Sequence, residues 1–154
     1  MIEEYTQILN IFAESIISKN YEQAYALFSS VLKETISKEK LQEVFETYLI
    51  EINKEWNTNN ELEYPNDFSI DENTAIDYSY FLNEKNNYSL FKSSKSLPID
   101  INNENFKSWA VISFLASEQQ SEYLEFDGWF DFWCILIEKN DNLEIGYFEI
   151  HDLD

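Results

Sequence analysis

The chain has 154 residues, enough for one core-bearing domain and too few for two comfortable ones. Hydrophobic residues make up 44% and aromatic residues 17%, which argues against disorder throughout, and two Gly and two Pro exclude collagen-like and low-complexity architectures. Thirty acids face ten Lys and no Arg, a formal charge of −20, so a surface that recognises phosphate or an anionic membrane is not expected.

The charge is uneven. Residues 118–154 hold eleven of the acids and one Lys. A surface of this kind repels nucleic acid and attracts a basic protein. It also keeps a chain soluble, with or without a partner. The start, Met1-Ile2-Glu3-Glu4-Tyr5, lacks the basic-then-apolar order of a secretory signal. Cys134 is the single cysteine, which excludes an internal disulfide, and no apolar run is long enough to span a membrane. The expected compartment is the cytoplasm.

Three helices are predicted within residues 1–52. Ile2, Tyr5, Leu9, Phe12, Ile16 and Ile17 form one stripe at three- and four-residue spacing. Asn20 followed by Gln23 three positions on reads as a capping box. It starts a second helix with the stripe Tyr21, Ala24, Tyr25, Phe28, Val31 and Leu32. Ser37 caps a third, with Leu41, Val44, Phe45, Tyr48, Leu49 and Ile52 at helical spacing.

The pattern then changes. Asn57, Asn59, Asn60, Pro65, Asn66 and Asp67 mark an irregular connection. Residues 67–154 are read as mostly β-strand, with an irregular segment over 83–105. Thr74–Leu82 alternates as a strand. Lys107–Ser117 is apolar on both faces, as a central strand would be. Tyr123–Glu138 is a long aromatic strand whose even positions Leu124, Phe126, Phe130, Phe132, Cys134 and Leu136 are apolar. A turn at Lys139–Asn142 leads into a return strand, Leu143–Ile150. Helices first and antiparallel strands afterwards define a single α+β domain, its N-terminal helices packed on a curved, mainly antiparallel sheet.

Phe12-Ala13-Glu14, the run from Asn20 to Phe28, the segment Ile36–Leu41, and the final pair Trp129–Ile137 and Leu143–Ile150 together resemble the nuclear-transport-factor-2-like superfamily. The resemblance implies a cone-shaped α+β fold. That fold serves enzymes, small-molecule binders, transport factors and immunity proteins, so it does not by itself specify a function.

Catalytic constellations are sparse. His151 is the single histidine, and Cys134 sits among apolar neighbours as a buried thiol would. No Cys/His cluster suits zinc, and no cofactor or metal is expected. Asn140–Glu144 has oxygen ligands but reads as a hairpin turn, being shorter than a calcium loop. Two glycines, Gly128 and Gly146, cannot make a phosphate-cradling loop. An enzymatic reading rests on Asp131 or Asp77, strand acids among aromatics that a cone interior would bury as proton acceptors.

The most informative stretch is Glu118–Asp131. Strand alternation places Glu125, Asp127, Trp129, Asp131 and Trp133 on one face, with Glu118 and Glu122 just upstream. Gly128 within it signals a bulge. Acids mixed with two Trp residues are read as a partner-binding surface, Trp as anchors and acids to steer and pair with Lys or Arg. The leading expectation is a non-catalytic immunity protein that neutralises a basic toxin such as a nuclease. The alternatives are a small-molecule binder or isomerase/cyclase-like enzyme using a cone cavity, and a homodimeric adaptor joined through the aromatic sheet face.

Overall fold

The structure, a computed structural model, describes residues 2–47, 75–82, 98–102, 104–115 and 128–152, a few of them by backbone alone. It is an α+β arrangement: N-terminal helices lie on one face of an open antiparallel sheet.

Helix α1 spans Ile2–Ile17. Tyr5, Ile8, Leu9, Phe12, Ala13 and Ile16 are buried, so the periodic stripe is the face that meets the sheet. The helix ends on Lys19, whose φ of 60° is left-handed, and the Asn20 amide reaches back to the Ser15 carbonyl at 2.7 Å. Asn20 then caps α2, Tyr21–Tyr25, by accepting from the Gln23 amide at 3.2 Å.

The second predicted helix is two. Helix α2 stops after five residues, and α3, Ser30–Thr35, starts afresh with Ser29 accepting from the Leu32 amide at 3.2 Å. The break lets Phe28 drop into the core and lets the chain join the sheet. Ile145 donates to the Leu27 carbonyl at 2.8 Å, and Ser29 donates to the Ile145 carbonyl at 2.9 Å. Helical spacing of Tyr25, Phe28 and Leu32 concealed this, because a one-residue bridge keeps the apolar side chains pointing inward. The Tyr25 hydroxyl lies 2.9 Å from the Lys33 carbonyl oxygen and 2.8 Å from that of Ile36, closing the end of α3. A fourth helix, α4, covers 38–47, capped by Ser37 accepting from the Lys40 amide at 3.1 Å, with Leu41 and Phe45 buried. Tyr48, Leu49 and Ile52 lie outside the described residues.

Among the described residues four strands, β1 Ala75–Leu82, β2 Phe106–Leu115, β3 Gly128–Lys139 and β4 Asn142–Asp152, pair antiparallel in the order β1-β2-β3-β4. Strand β2 is internal, and it is buried on both faces: Ala110, Ile112 and Phe114 toward the helices, Phe106 and Trp109 on the other side. Asn140 and Asp141, both with positive φ, form the two-residue turn between β3 and β4. Strand β2 is preceded by a turn in which the Asn102 carboxamide accepts from the Glu104 and Asn105 amides at 2.9 Å.

The ladder slips three times, near Lys107, Trp129 and Gly146. Each slip adds a residue to one strand and inverts its alternation. At Gly146 the inversion explains an awkward pattern: Leu143 and Ile145 face the helices before it, Phe148 and Ile150 after it. Gly146 is also closely covered. A Cβ there would lie 3.1 Å from Ile137 Cδ1 and 3.3 Å from Ile101 Cδ1.

The core is aromatic at its centre. Phe12 stacks on Phe132 at 4.4 Å, and Phe132 stacks on Phe148 at 5.2 Å. Among the described residues no helix is long and apolar enough to cross a membrane.

Candidate functional site

The candidate surface centres on β3. Its even positions Phe132, Cys134 and Leu136 are buried against the helices, so Asp131 and Trp133 occupy the opposite sheet face. Both are half-buried. Glu118, Glu122, Glu125 and Asp127 lie outside the described residues, and Trp129 is described by its backbone. Phe114 pairs with Phe130 and Leu115 with Gly128, so the ladder passes over Trp129. Strict alternation therefore ends there, and it does not carry the face of Asp131 back to Asp127. The slip falls at Trp129, one residue after Gly128, where a bulge was expected; Gly128 itself is paired with Leu115.

Trp133 belongs to a second, smaller cluster with Ile101, Phe106, Trp109, Ile135, Ile137 and Tyr147. Its ring meets Trp109 edge-on at 5.7 Å, and Trp109 stacks on Tyr147 at 6.3 Å. Trp133 is thus packed along one side and partly open on the other.

Strand register aligns residues of the four strands in ranks. Asp77, Ser113, Asp131 and His151 share one rank by register, and Val111, Trp133 and Glu149 share the next. The Ser113 hydroxyl donates to Asp131 Oδ1 at 2.7 Å, and the Tyr147 hydroxyl donates to Glu149 Oε1 at 2.6 Å. Burial, with the adjacent Glu149 carboxylate, pushes the Tyr147 phenol well above its ordinary value. These hydrogen bonds fix two carboxylates on a rigid strand surface beside an indole. Such a surface can pair with Lys or Arg while an apolar side chain rests on the Trp edge.

Sequence reasoning singled out Asp131 and Trp133 but missed Ser113, Trp109, Tyr147 and Glu149. Those four become neighbours only through strand pairing, and the register shift beside Gly146 hides Tyr147 and Glu149 from simple alternation. Cys134 is fully buried, and burial pushes its thiol far above the ordinary range, so it is held as a neutral core side chain. Among the described residues no three His, Cys, Asp or Glu stand close enough to hold a metal ion.

No protein-family model matches the chain, and neither a curated protein nor a solved structure matches it.

Proposed function

We propose that this chain is a non-catalytic, acidic protein-binding domain, an immunity protein that neutralises a basic toxin such as a nuclease, acting in the cytoplasm and built on a cone-shaped, nuclear-transport-factor-2-like sheet. The carrying observation is uncompensated charge. The chain bears −20. Between described residues the ion pairs are Lys40–Glu43 and Lys107–Glu138, at 3.4 and 3.8 Å, while acids such as Glu3, Glu14, Glu22 and Glu34 stand exposed. A nuclease is basic where it holds phosphate, so the two surfaces attract over the Debye length. Asp131 and Trp133, with Glu118, Glu122, Glu125, Asp127 and Trp129 upstream, are the proposed contact set. Bulges at Trp129 and Gly146 favour a bent sheet of the cone type.

The test is co-expression and pull-down with products of neighbouring open reading frames, at low and high salt, followed by stopped-flow association. A basic partner whose association slows roughly ten- to a thousandfold with salt, and whose toxicity the chain relieves, is the expected result. No basic partner at low salt overturns the reading.

A second reading has one observation behind it. The rank Asp77–Ser113–Asp131–His151 places two Asp and a His, with a Ser between the acids, at one register position across the sheet, as a small-molecule or isomerase/cyclase-like site would. Under it, Asp131→Asn abolishes turnover or ligand binding and leaves the melting curve intact. Ligand binding unaffected by Asp131→Asn removes this alternative.

A further inference from the structure

On the helical side of the sheet, away from Trp133, a groove of about 390 Å³ runs between α1 and the β3–β4 hairpin. Its apolar lining is Ile8, Ile11, Leu27 and Leu143, and Glu4, Glu138 and Asp141 also line it. Ile11 is 40% exposed, one of two large apolar side chains among the described residues that remain open to water. Glu138 is paired with Lys107, whereas Glu4 and Asp141 make no ion pair with another described residue. No lysine is among the described residues lining the groove.

From this we infer that the groove is a docking site for an amphipathic, Lys/Arg-bearing helix of a partner protein, with apolar side chains on Ile11, Leu27 and Leu143 and cations on Glu4 and Asp141. The inference goes beyond the proposed function, because it assigns a contact on the other side of the sheet and holds whether or not the partner is a toxin. Charge selects the partner: a second copy of this chain would bring acids against acids, and an acidic segment would be repelled. Geometry selects a helix. Glu4, Gln7 and Ile11 are exposed and follow one another at three- and four-residue spacing along α1, a ridge of the kind helices pack against, while Ile8 is largely buried beneath it. A strand is disfavoured, because the β4 edge amide and carbonyl of Ile145 are already taken by Leu27 and Ser29.

The probes are a fluorophore-labelled amphipathic peptide of leucine and lysine and its leucine–glutamate counterpart, titrated by anisotropy at physiological salt. The wild-type chain is expected to bind the lysine peptide alone. Ile11→Asp is the informative variant, since it adds negative charge while removing an apolar contact. Docking in the groove predicts affinity weakened about tenfold. Adhesion of cations to an acidic surface predicts affinity unchanged or tightened. Ile99→Asp makes the same change at the other exposed isoleucine, 93% open and outside the groove, and should not weaken binding. Ile11→Gln, with no added charge, should lose affinity in the same way and serves if the Asp variant melts early. The inference is overturned if Ile11→Asp binds as well as wild type. It is also overturned if wild type fails to bind the lysine peptide, or if sedimentation shows a dimer abolished by Ile11→Asp. A basic protein partner that still binds the Ile11 variants would leave the proposed function standing while removing the groove.

Discussion

The ring of Phe12 on α1 lies 4.4 Å from that of Phe132 on β3, tilted 25° from parallel, and both are fully buried. Phe45 of α4 adds a third ring, 6.1 Å from Phe132. One helix, one strand and a second helix therefore share an aromatic contact. Phe12→Ala should cost about 3–5 kcal/mol, the range for deleting a buried aromatic. Urea denaturation followed by circular dichroism reads it. A loss below about 1 kcal/mol would place the centre of the core elsewhere.

Gly146 is confined by space rather than by its backbone angle. Its Cβ in Gly146→Ala would press on Ile137, which is fully buried and cannot swing into solvent. The substitution should destabilise by about 1–3 kcal/mol, and Ile137→Val in the same chain should recover part of it by vacating a methyl group. Thermal melts of the two single variants and the double variant give the coupling. Strictly additive losses would argue against this contact.

Lys19 holds a left-handed conformation after α1, where a side chain is disfavoured. Lys19→Gly should raise stability by up to about 1 kcal/mol despite the greater freedom of glycine in the unfolded chain. A lower melting temperature would show that the lysine side chain contributes more than its backbone costs.

Alkaline pH should unfold the protein. Burial raises Cys134, and Tyr5, Tyr21 and Tyr147 are shifted upward as well, burial being the leading cause for each. A raised acid keeps its proton in the native state after the unfolded chain has lost it. The stabilisation is thus fully present below the unfolded values and falls as pH climbs above about 8.5–10. Cys134→Ala should move the onset of that fall upward. Thiol reagents at neutral pH should react with Cys134 only as fast as the protein opens, and rapid labelling of the native state would contradict its burial.

Local signals were legible wherever a contact lay within a few residues. The caps Asn20 and Ser37, the α1 stripe and the Asn140-Asp141 turn follow from rules spanning a few positions. The failures are long-range. Nothing near Phe28 announces that Ile145 will bridge there, and so one helix was expected where two stand. The face of Asp131 and Trp133 could be assigned because Phe132, Cys134 and Leu136 have an unbroken apolar alternation. Their neighbours Ser113, Trp109 and Glu149 come from two other strands, and pairing register is not written in any one of them. The groove beside Ile11 was missed for the same reason: helix periodicity marks Ile8 and Ile11 as near neighbours but not the hairpin opposite.

The bridge between Phe28 and Ile145 also has a temporal meaning. During synthesis the helices leave the ribosome first, with Phe12 and Phe28 needing Phe132 and Phe148 to cover them. Until the last hairpin emerges, those rings have no native sheet to rest on. The aromatic face of the helices therefore waits uncovered by its native sheet until β3 and β4 have been made, and the core closes only when those strands arrive.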